Sequence, residues 1–390
     1  MKKLSLRRVS HWLHLWLGLA SSIIVFIVAV TGCIYTFEPE LREVFQPYRY
    51  VEVQDKPFLP PHELREKAKP YIYKAPADSA NTIYGMTYST ANKAVMLAYN
   101  HYENGYTIIL LNPYSGDFIK DLPLKDDFFR IILAGHRNLW LPYNIGHQII
   151  GYGVLIFVIV ILTGIVLWIP KRINKRALKA AFKMKWKTSF FKRNYDLHRV
   201  LGIYAAIFAL IVAGTGLTWS FSWYSNSYYK IISGGKELNL WEPVKSDTTL
   251  ITQATNLDDL LWIQSNKEYP IGKRGTFIFD FPIAKSDVYR ICFNPDGTTY
   301  YKCHFRFFDR SNLEELEGGG MYGIGYDSSS NADKLYRMTY DIHVGAIGGL
   351  IGRILVFLAS LIIASLPITG FVIWWKREKY KRKVKVANIK

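Results

Sequence analysis

Charge of either sign is missing from four long stretches of this 390-residue chain. Val9–Phe37, Asn138–Pro170, Val200–Tyr229 and Ile354–Trp375 contain no Asp, Glu, Lys or Arg. Each exceeds the roughly 20 apolar residues that cross a hydrocarbon core of about 30 Å. Four such runs seldom occur in a soluble core, so the pattern predicts four transmembrane helices. Trp168, Trp219, Trp223, Trp374 and Trp375 stand near their ends, as in an interfacial belt. The lack of acid inside the runs argues against a proton pathway, which would want carboxylates there.

Acid is also scarce where the chain is most basic. Met1–Ser10, Lys171–Arg193 and Lys376–Lys390 carry 4, 10 and 8 Lys or Arg and one acid, Glu378, which accounts for the net charge of +18. Basic loops stay cytoplasmic, so both termini and the middle loop are expected inside and the two long connections outside. Every basic cluster abuts a span, where anionic lipid is the natural partner, and this excludes a nucleic-acid binder. The basic start of the chain could also be a secretory signal, with Val30-Thr31-Gly32-Cys33 as a lipoprotein-like box. Thr-Gly recurs in the other three spans (Thr163-Gly164, Thr215-Gly216, Thr369-Gly370), so it reads as part of an internal repeat and Cys33 as a small buried residue.

Only three cysteines are present, and no C-x-x-C-H, so covalent c-type haem attachment is excluded. Cys292 and Cys303 flank the turn signal Asn294-Pro295-Asp296-Gly297. A hairpin centred there pairs Cys292 with Thr299 and Cys303 with Val288, which argues against a disulfide between them. Flavin, nicotinamide, P-loop and hydrolase signatures are lacking. Gly318–Gly325 only superficially resembles a dinucleotide loop, because no βαβ unit surrounds it.

These signals predict a membrane four-helix bundle with two extracytoplasmic α+β insertions, internally duplicated. The expected order is span 1 (1–37), a first outside module (38–135), span 2 (136–170), a basic loop (171–195), span 3 (196–229), a second outside module (230–341), span 4 (342–375) and a basic tail (376–390). The first module reads as a helix over His62–Lys69, then strands over Thr82–Tyr88, Lys93–Tyr99 and Tyr106–Leu111. The second reads as a helix over Asp258–Ser265, then strands over Thr276–Phe281, Val288–Phe293 and Thr299–Phe305.

The repeat is clearest around histidine. His14-Leu-Trp-Leu-Gly18 matches His198-Arg-Val-Leu-Gly202, and Thr-Gly follows each His by 17 residues. His136…Gly146 matches His343…Gly352, with Thr-Gly 27 and 26 residues after the His. Histidine within a membrane is functional by default. Two helices offer His at each level, as bis-histidine haem requires, with Gly18 and Gly202 leaving room for a macrocycle edge. His14, His198, His136 and His343 are therefore the candidate ligands of two non-covalent haem b groups. Any one His at a span end is also an ordinary interfacial side chain, and the repeat is what singles out these four. A closed zinc site is disfavoured, since no Cys or acid accompanies them at ligand spacing.

His147, His11 and Arg353 are further candidates for contact with the haem groups. The repeat partners of His147 and His11 are Arg353 and Tyr195; His147 could meet a haem propionate or replace His136. The densely apolar parts of spans 2 and 4 begin only near Ile149 and Ile354, so a continuous helix would carry His136 and His343 roughly 15 Å beyond them. Either the bundle extends outward or the chain bends.

The motifs His14-x-x-x-Gly18-Leu19, His136…Gly146…Gly151…Thr163-Gly164…Trp168, His343-Val-Gly-Ala…Gly352-Arg353…Thr369-Gly370…Trp374-Trp375-Lys376-Arg377, and Leu111-Asn-Pro-Tyr-Ser-Gly-Asp117 in the first module resemble the PepSY-associated transmembrane helix family. That resemblance implies a di-haem reductase of the bacterial inner membrane. Electrons from a cytoplasmic donor or quinol would reach a ferric siderophore or other ferric chelate outside and release Fe(II). His147, where Arg is usual, departs from the family pattern and leaves the outer ligand set open. An electron-transfer subunit for a periplasmic enzyme, and a non-redox scaffold or protease-regulating protein, are the competing expectations.

Overall fold

A backbone in hydrocarbon must satisfy its own N–H and C=O groups, which a helix does within one segment. In a computed structural model, which describes residues 5–72, 82–101, 104–250 and 256–387, each uncharged run is accordingly helical. In chain order the helices are α1 (Leu6–Thr36), α2 (Glu38–Phe45), α3 (Pro61–Ile72), α4 (Phe128–Asn138), α5 (Tyr143–Trp168), α6 (Lys175–Ala181), α7 (Phe190–Ser220), α8 (Ser222–Ile232), α9 (Leu257–Glu268), α10 (Asn331–Arg337), α11 (Thr339–His343) and α12 (Gly349–Ala387). The strands are β1 (Ile83–Tyr88), β2 (Val95–His101), β3 (Gly105–Leu111), β4 (Phe118–Pro123), β5 (Thr276–Asp280), β6 (Tyr289–Asn294), β7 (His304–Phe308) and β8 (Glu315–Leu316). Leu6–Thr36, Tyr143–Trp168, Phe190–Ser220 and Ala346–Arg382 are long and apolar enough to cross a membrane, which makes this a multi-pass membrane protein. The ends of the basic N-terminal segment and tail, residues 1–4 and 388–390, lie outside the described residues.

The chain divides into two compact units, one of them Met1–Phe37, Ile132–Ser225 and Ile342–Lys390. Here α1 and α7 each pack against α5 and α12, closing a ring of four spans. The centre is built on Ala29, Ala205, Ala206, Ala209 and Ala364. Small side chains let helix backbones approach where lipid offers no hydrophobic drive to association. Cys33 is buried in α1, its thiol directed at the Phe357 carbonyl of α12.

The chain bends beside both outer histidines. Between α4 and α5, Leu139 and Trp140 take φ of 54° and 56°, and a Cβ on Gly146 would lie 1.8 Å from the Asn138 carbonyl oxygen. Between α11 and α12, Gly345 has φ 79° and a Cβ on Gly352 would lie 2.2 Å from its carbonyl oxygen. The glycine that follows each His by nine or ten residues therefore makes room for a chain reversal. His136 and His343 sit on short helices that fold back, not on outward extensions of the spans.

The second unit is Glu38–Ile131 with Asn226–Asp341. The expectation of two separate modules is corrected here: the strands form a single eight-stranded sheet, in the order β4-β3-β2-β1-β5-β6-β7-β8. Strand β1 pairs antiparallel with β2 on one side and β5 on the other, joining the two segments. Pairing removes two exposed edges that separate sheets would carry. Alternate residues of β2 (Val95, Leu97, Tyr99) and β5 (Phe277, Phe279) are buried with Leu64 of α3 and Leu261 of α9.

Two strands, β4 and β8, escape the sequence reading, one with the adjacent charges Lys120 and Asp121 at its centre and the other two residues long. The strand expected over Thr299–Phe305 begins instead at His304, because residues 295–303 are irregular. This places Cys292 opposite Phe305, not Thr299. Cys303 then comes within reach, and a Cys292–Cys303 disulfide forms with a Cα–Cα distance of 6.3 Å. The pairing of Cys292 with Phe305, not with Thr299, is what permits the bond.

Candidate functional site

Threonine in a membrane helix satisfies its hydroxyl hydrogen on its own backbone. Thr31, Thr163, Thr215 and Thr369 each donate to the carbonyl four residues earlier, at 2.7, 2.8, 2.8 and 3.0 Å. The hydroxyl oxygen is left as an acceptor, and in every case the group that meets it is a histidine of another element.

His14 of α1 donates from Nδ1 to the Val160 carbonyl of α5 at 2.9 Å, with Thr163 Oγ1 at 3.4 Å. His136 of α4 donates to the Val28 carbonyl of α1 at 2.9 Å, with Thr31 Oγ1 at 3.2 Å. His343 of α11 donates to the Val212 carbonyl of α7 at 2.9 Å, with Thr215 Oγ1 at 3.1 Å. His198 of α7 donates to Thr369 Oγ1 of α12 at 2.9 Å. The glycine after each threonine completes the seat. A Cβ on Gly164, Gly32, Gly216 or Gly370 would lie 3.0 to 3.2 Å from the Cε1 of His14, His136, His343 or His198. Thr-Gly is thus an imidazole seat, used four times.

These contacts fix the tautomer. With acceptors at Nδ1, that nitrogen carries the hydrogen and Nε2 keeps its lone pair, the form in which histidine ligates metal. The rings then come in two facing pairs. His14 and His198 have centroids 6.2 Å apart with planes at 84°. His136 and His343 are 6.1 Å apart at 74°. Two metal–nitrogen bonds of about 2 Å each, with the distance from each nitrogen to its ring centre, reach about 6 Å. Each pair can therefore hold one metal between two Nε2 atoms. A bare ion would need further ligands, and among the described residues no cluster of three or more His, Cys, Asp or Glu exists. A metal held between two of these histidines would need its remaining ligands from a group of its own.

Space is consistent with a bulky group. A Cβ on Gly18 or Gly202 would meet only Val160 or Leu366, each at 3.8 Å. Thr31 follows His14, and Thr215 follows His198, by 17 residues on one helix, so the two levels are about 25 Å apart at 1.5 Å per residue.

The other candidates lie elsewhere. His147 is hydrogen-bonded through Nε2 to the Trp219 carbonyl at 3.1 Å, and its ring stacks on Tyr143. It is His136 that stands opposite His343. Trp219 also sets its ring edge-on to His343, at 5.3 Å. The Nε2 of His11 accepts from Arg377 at 2.8 Å, and the Arg353 guanidinium lies 5.7 Å from the Phe37 ring centre. His62, His101 and His304 belong to the sheet unit. The sequence reading missed the seat itself: Thr-Gly was visible four times, but only as a marker of repetition.

Among curated proteins none is similar to this chain. A family model described as the PepSY-associated TM region matches residues 11–377, which takes in all four spans, both histidine pairs and the sheet between. The chain belongs to the PepSY-associated TM family.

Proposed function

We propose that this protein binds two haem b groups, one between His14 and His198 and one between His136 and His343, and uses them to pass electrons across the membrane to a ferric chelate such as a ferric siderophore. The observation that carries this reading is the pair of facing imidazoles at each level, tied at Nδ1 and free at Nε2. A haem brings four equatorial nitrogens of its own, so two histidines complete its coordination, and once bound it supplies reversible one-electron chemistry. The chain's part is to orient. Val160, Val28 and Val212 carbonyls and the four threonine hydroxyls hold each ring in one rotation and one tautomer, and the apolar centre around Ala205 and Ala209 keeps water from the space between levels. Hydrogen bonds of this kind raise imidazole basicity and hold ring orientation.

The donor would be a cytoplasmic reductant or quinol, one electron being consumed per Fe(III) reduced. Fe(II) is held less tightly by hard oxygen ligands, and the chelate releases it. The basic segments place both termini inside under this reading, in a bacterial inner membrane, with the sheet unit on the chelate side. The matching motifs around the two pairs are consistent with a duplicated unit.

The test is an oxidised-versus-reduced optical spectrum of the purified protein, with haem b quantified per chain. Two low-spin haems are expected. His14→Ala or His198→Ala removes one, His136→Ala or His343→Ala removes the other, and His147→Ala and His11→Ala leave both. A haem-free protein after expression with ample haem would sink the redox reading and leave a scaffold. Reoxidation of the reduced protein by added ferric chelate separates a chelate reductase from an electron-transfer subunit that needs a protein acceptor.

The seat offers a finer check. Thr369→Val removes the hydroxyl partner of His198 Nδ1 without changing side-chain size and leaves the Leu366 carbonyl as its backbone partner. The midpoint potential of the His14–His198 haem should shift, and haem retention there should fall about 10- to 100-fold, the usual cost of losing such a partner. The other haem's potential should stay where it was.

A further inference from the structure

At the end of the bundle that carries His14 and His198, the start of α7 and the later part of α12 line an open cavity of about 440 Å³. Lys192, Lys376 and Arg377 line it together with Asn194, Tyr195 and Tyr380, and no carboxylate is among its lining residues. Three cations drawn to one concavity without acid leave it suited to an anion. Ser189, which precedes α7, makes no side-chain cap, so the positive end of a 31-residue helix adds to the same field. Lys376 Nζ lies 3.7 Å from the Phe191 ring centre, and three cations without a carboxylate favour a compact anion. Ile373, also in the lining, belongs to the apolar span, where an acyl chain would run.

We propose that this cavity binds the phosphate of an anionic phospholipid through Lys192, Lys376 and Arg377. The site is not isolated from the histidine pair. Asn194 is buried, lines the cavity and donates to the carbonyl of Thr369 at 2.9 Å. The Thr369 hydroxyl in turn accepts from His198. An anion in the cavity is thus two side chains from an imidazole of the inner pair. Basic residues at a span end meet anionic headgroups in any bilayer; what is particular here is that three cations line one groove with no carboxylate among the lining residues. The same end of the bundle carries a second surface, with Lys379, Lys381 and Arg382 beside Glu378, which supplies a control in which the same number of lysines can be removed. The assignment does not depend on haem.

The experiment is native mass spectrometry of the full chain released from mixed phosphatidylglycerol and phosphatidylcholine vesicles, with thermal unfolding in detergent alongside. The expected result is one retained phosphatidylglycerol per chain, and an unfolding midpoint raised by phosphatidylglycerol but not by phosphatidylcholine. Lys192→Gln with Lys376→Gln should cut retention at least tenfold, while Lys379→Gln with Lys381→Gln should not. Should the first double variant fail to fold, Lys192→Gln alone is read in the same way, with a several-fold loss expected. Equal loss in the two double variants would show diffuse charge and overturn the site. Equal retention of phosphatidylcholine, or equal stabilisation by inorganic phosphate, would overturn the anionic lipid as its occupant.

Discussion

On the proposed di-haem reading, Gly164→Leu should abolish haem binding between His14 and His198 and leave binding between His136 and His343 in place. Neither histidine is altered, so the effect comes only from the seat. A Cβ at residue 164 lies 3.0 Å from His14 Cε1, closer than a fixed neighbour tolerates, and the branched carbons beyond it would occupy the space of the ring. The imidazole is also tied to the Val160 carbonyl at 2.9 Å, so moving away from residue 164 would break the bond that orients it. Leucine favours a helix over glycine by roughly 1 kcal/mol, so a loss of haem could not be charged to a weakened α5. Gly216→Leu should act on the opposite pair, since its Cβ would stand 3.1 Å from His343 Cε1. Gly348→Leu is the neutral control, for a Cβ there has nothing within 4 Å. Haem b per chain with the reduced spectrum reads all three: one remaining for each seat variant, two for the control. Two haems with unshifted spectra in Gly164→Leu would mean that Thr-Gly does not seat a ligand.

The four spans and the four paired histidines were legible because both signals are local. An uncharged run announces a helix through the cost of burying charge, and a repeated His-x-x-x-Gly announces itself by spacing. The seat was not legible, although its residues were all noticed. Thr31 stands 17 residues from His14 in its own helix, and the eye pairs them along the chain. In space Thr31 serves His136, and His14 is served by Thr163. Which helix faces which depends on packing around the ring, which periodicity within one helix does not encode. The sheet failed to read for a related reason. Each segment's strands were found from alternation, but the β1–β5 pairing that merges them is a contact between residues nearly 200 positions apart. The cysteine register was lost to a local irregularity: one turn signal was taken as the whole connection, and the loop runs on to residue 303.

Asp127→Asn should weaken the sheet unit by about 3–5 kcal/mol, the usual result of stranding one member of a buried ion pair. The Asp127 carboxylate is fully buried. It accepts both terminal nitrogens of Arg42 at 2.8 Å and Gln46 Nε2 at 2.9 Å. It also accepts the Arg130 backbone N–H at 3.0 Å, which caps the first turn of α4. An amide in its place presents N–H where a second acceptor oxygen stood and leaves the Arg42 guanidinium, itself mostly buried, with Glu38 as its remaining acid. Burial alone would push the carboxyl up, but the Arg42 and Gln46 hydrogen bonds overcome it and hold Asp127 at about 2, below the ordinary 3.8. A lowered folded-state value means that the stabilisation is complete above the ordinary value and lost as pH falls through about 2. Amide hydrogen exchange in α2 and the first turn of α4 should therefore be faster by a hundredfold or more in the variant at pH 7. The difference should shrink only when the wild-type protein is taken down towards pH 2. Unchanged protection at pH 7 would show that the pair contributes nothing net. Since α4 is the helix that carries His136, loss of its cap would also leave that histidine on a frayed support.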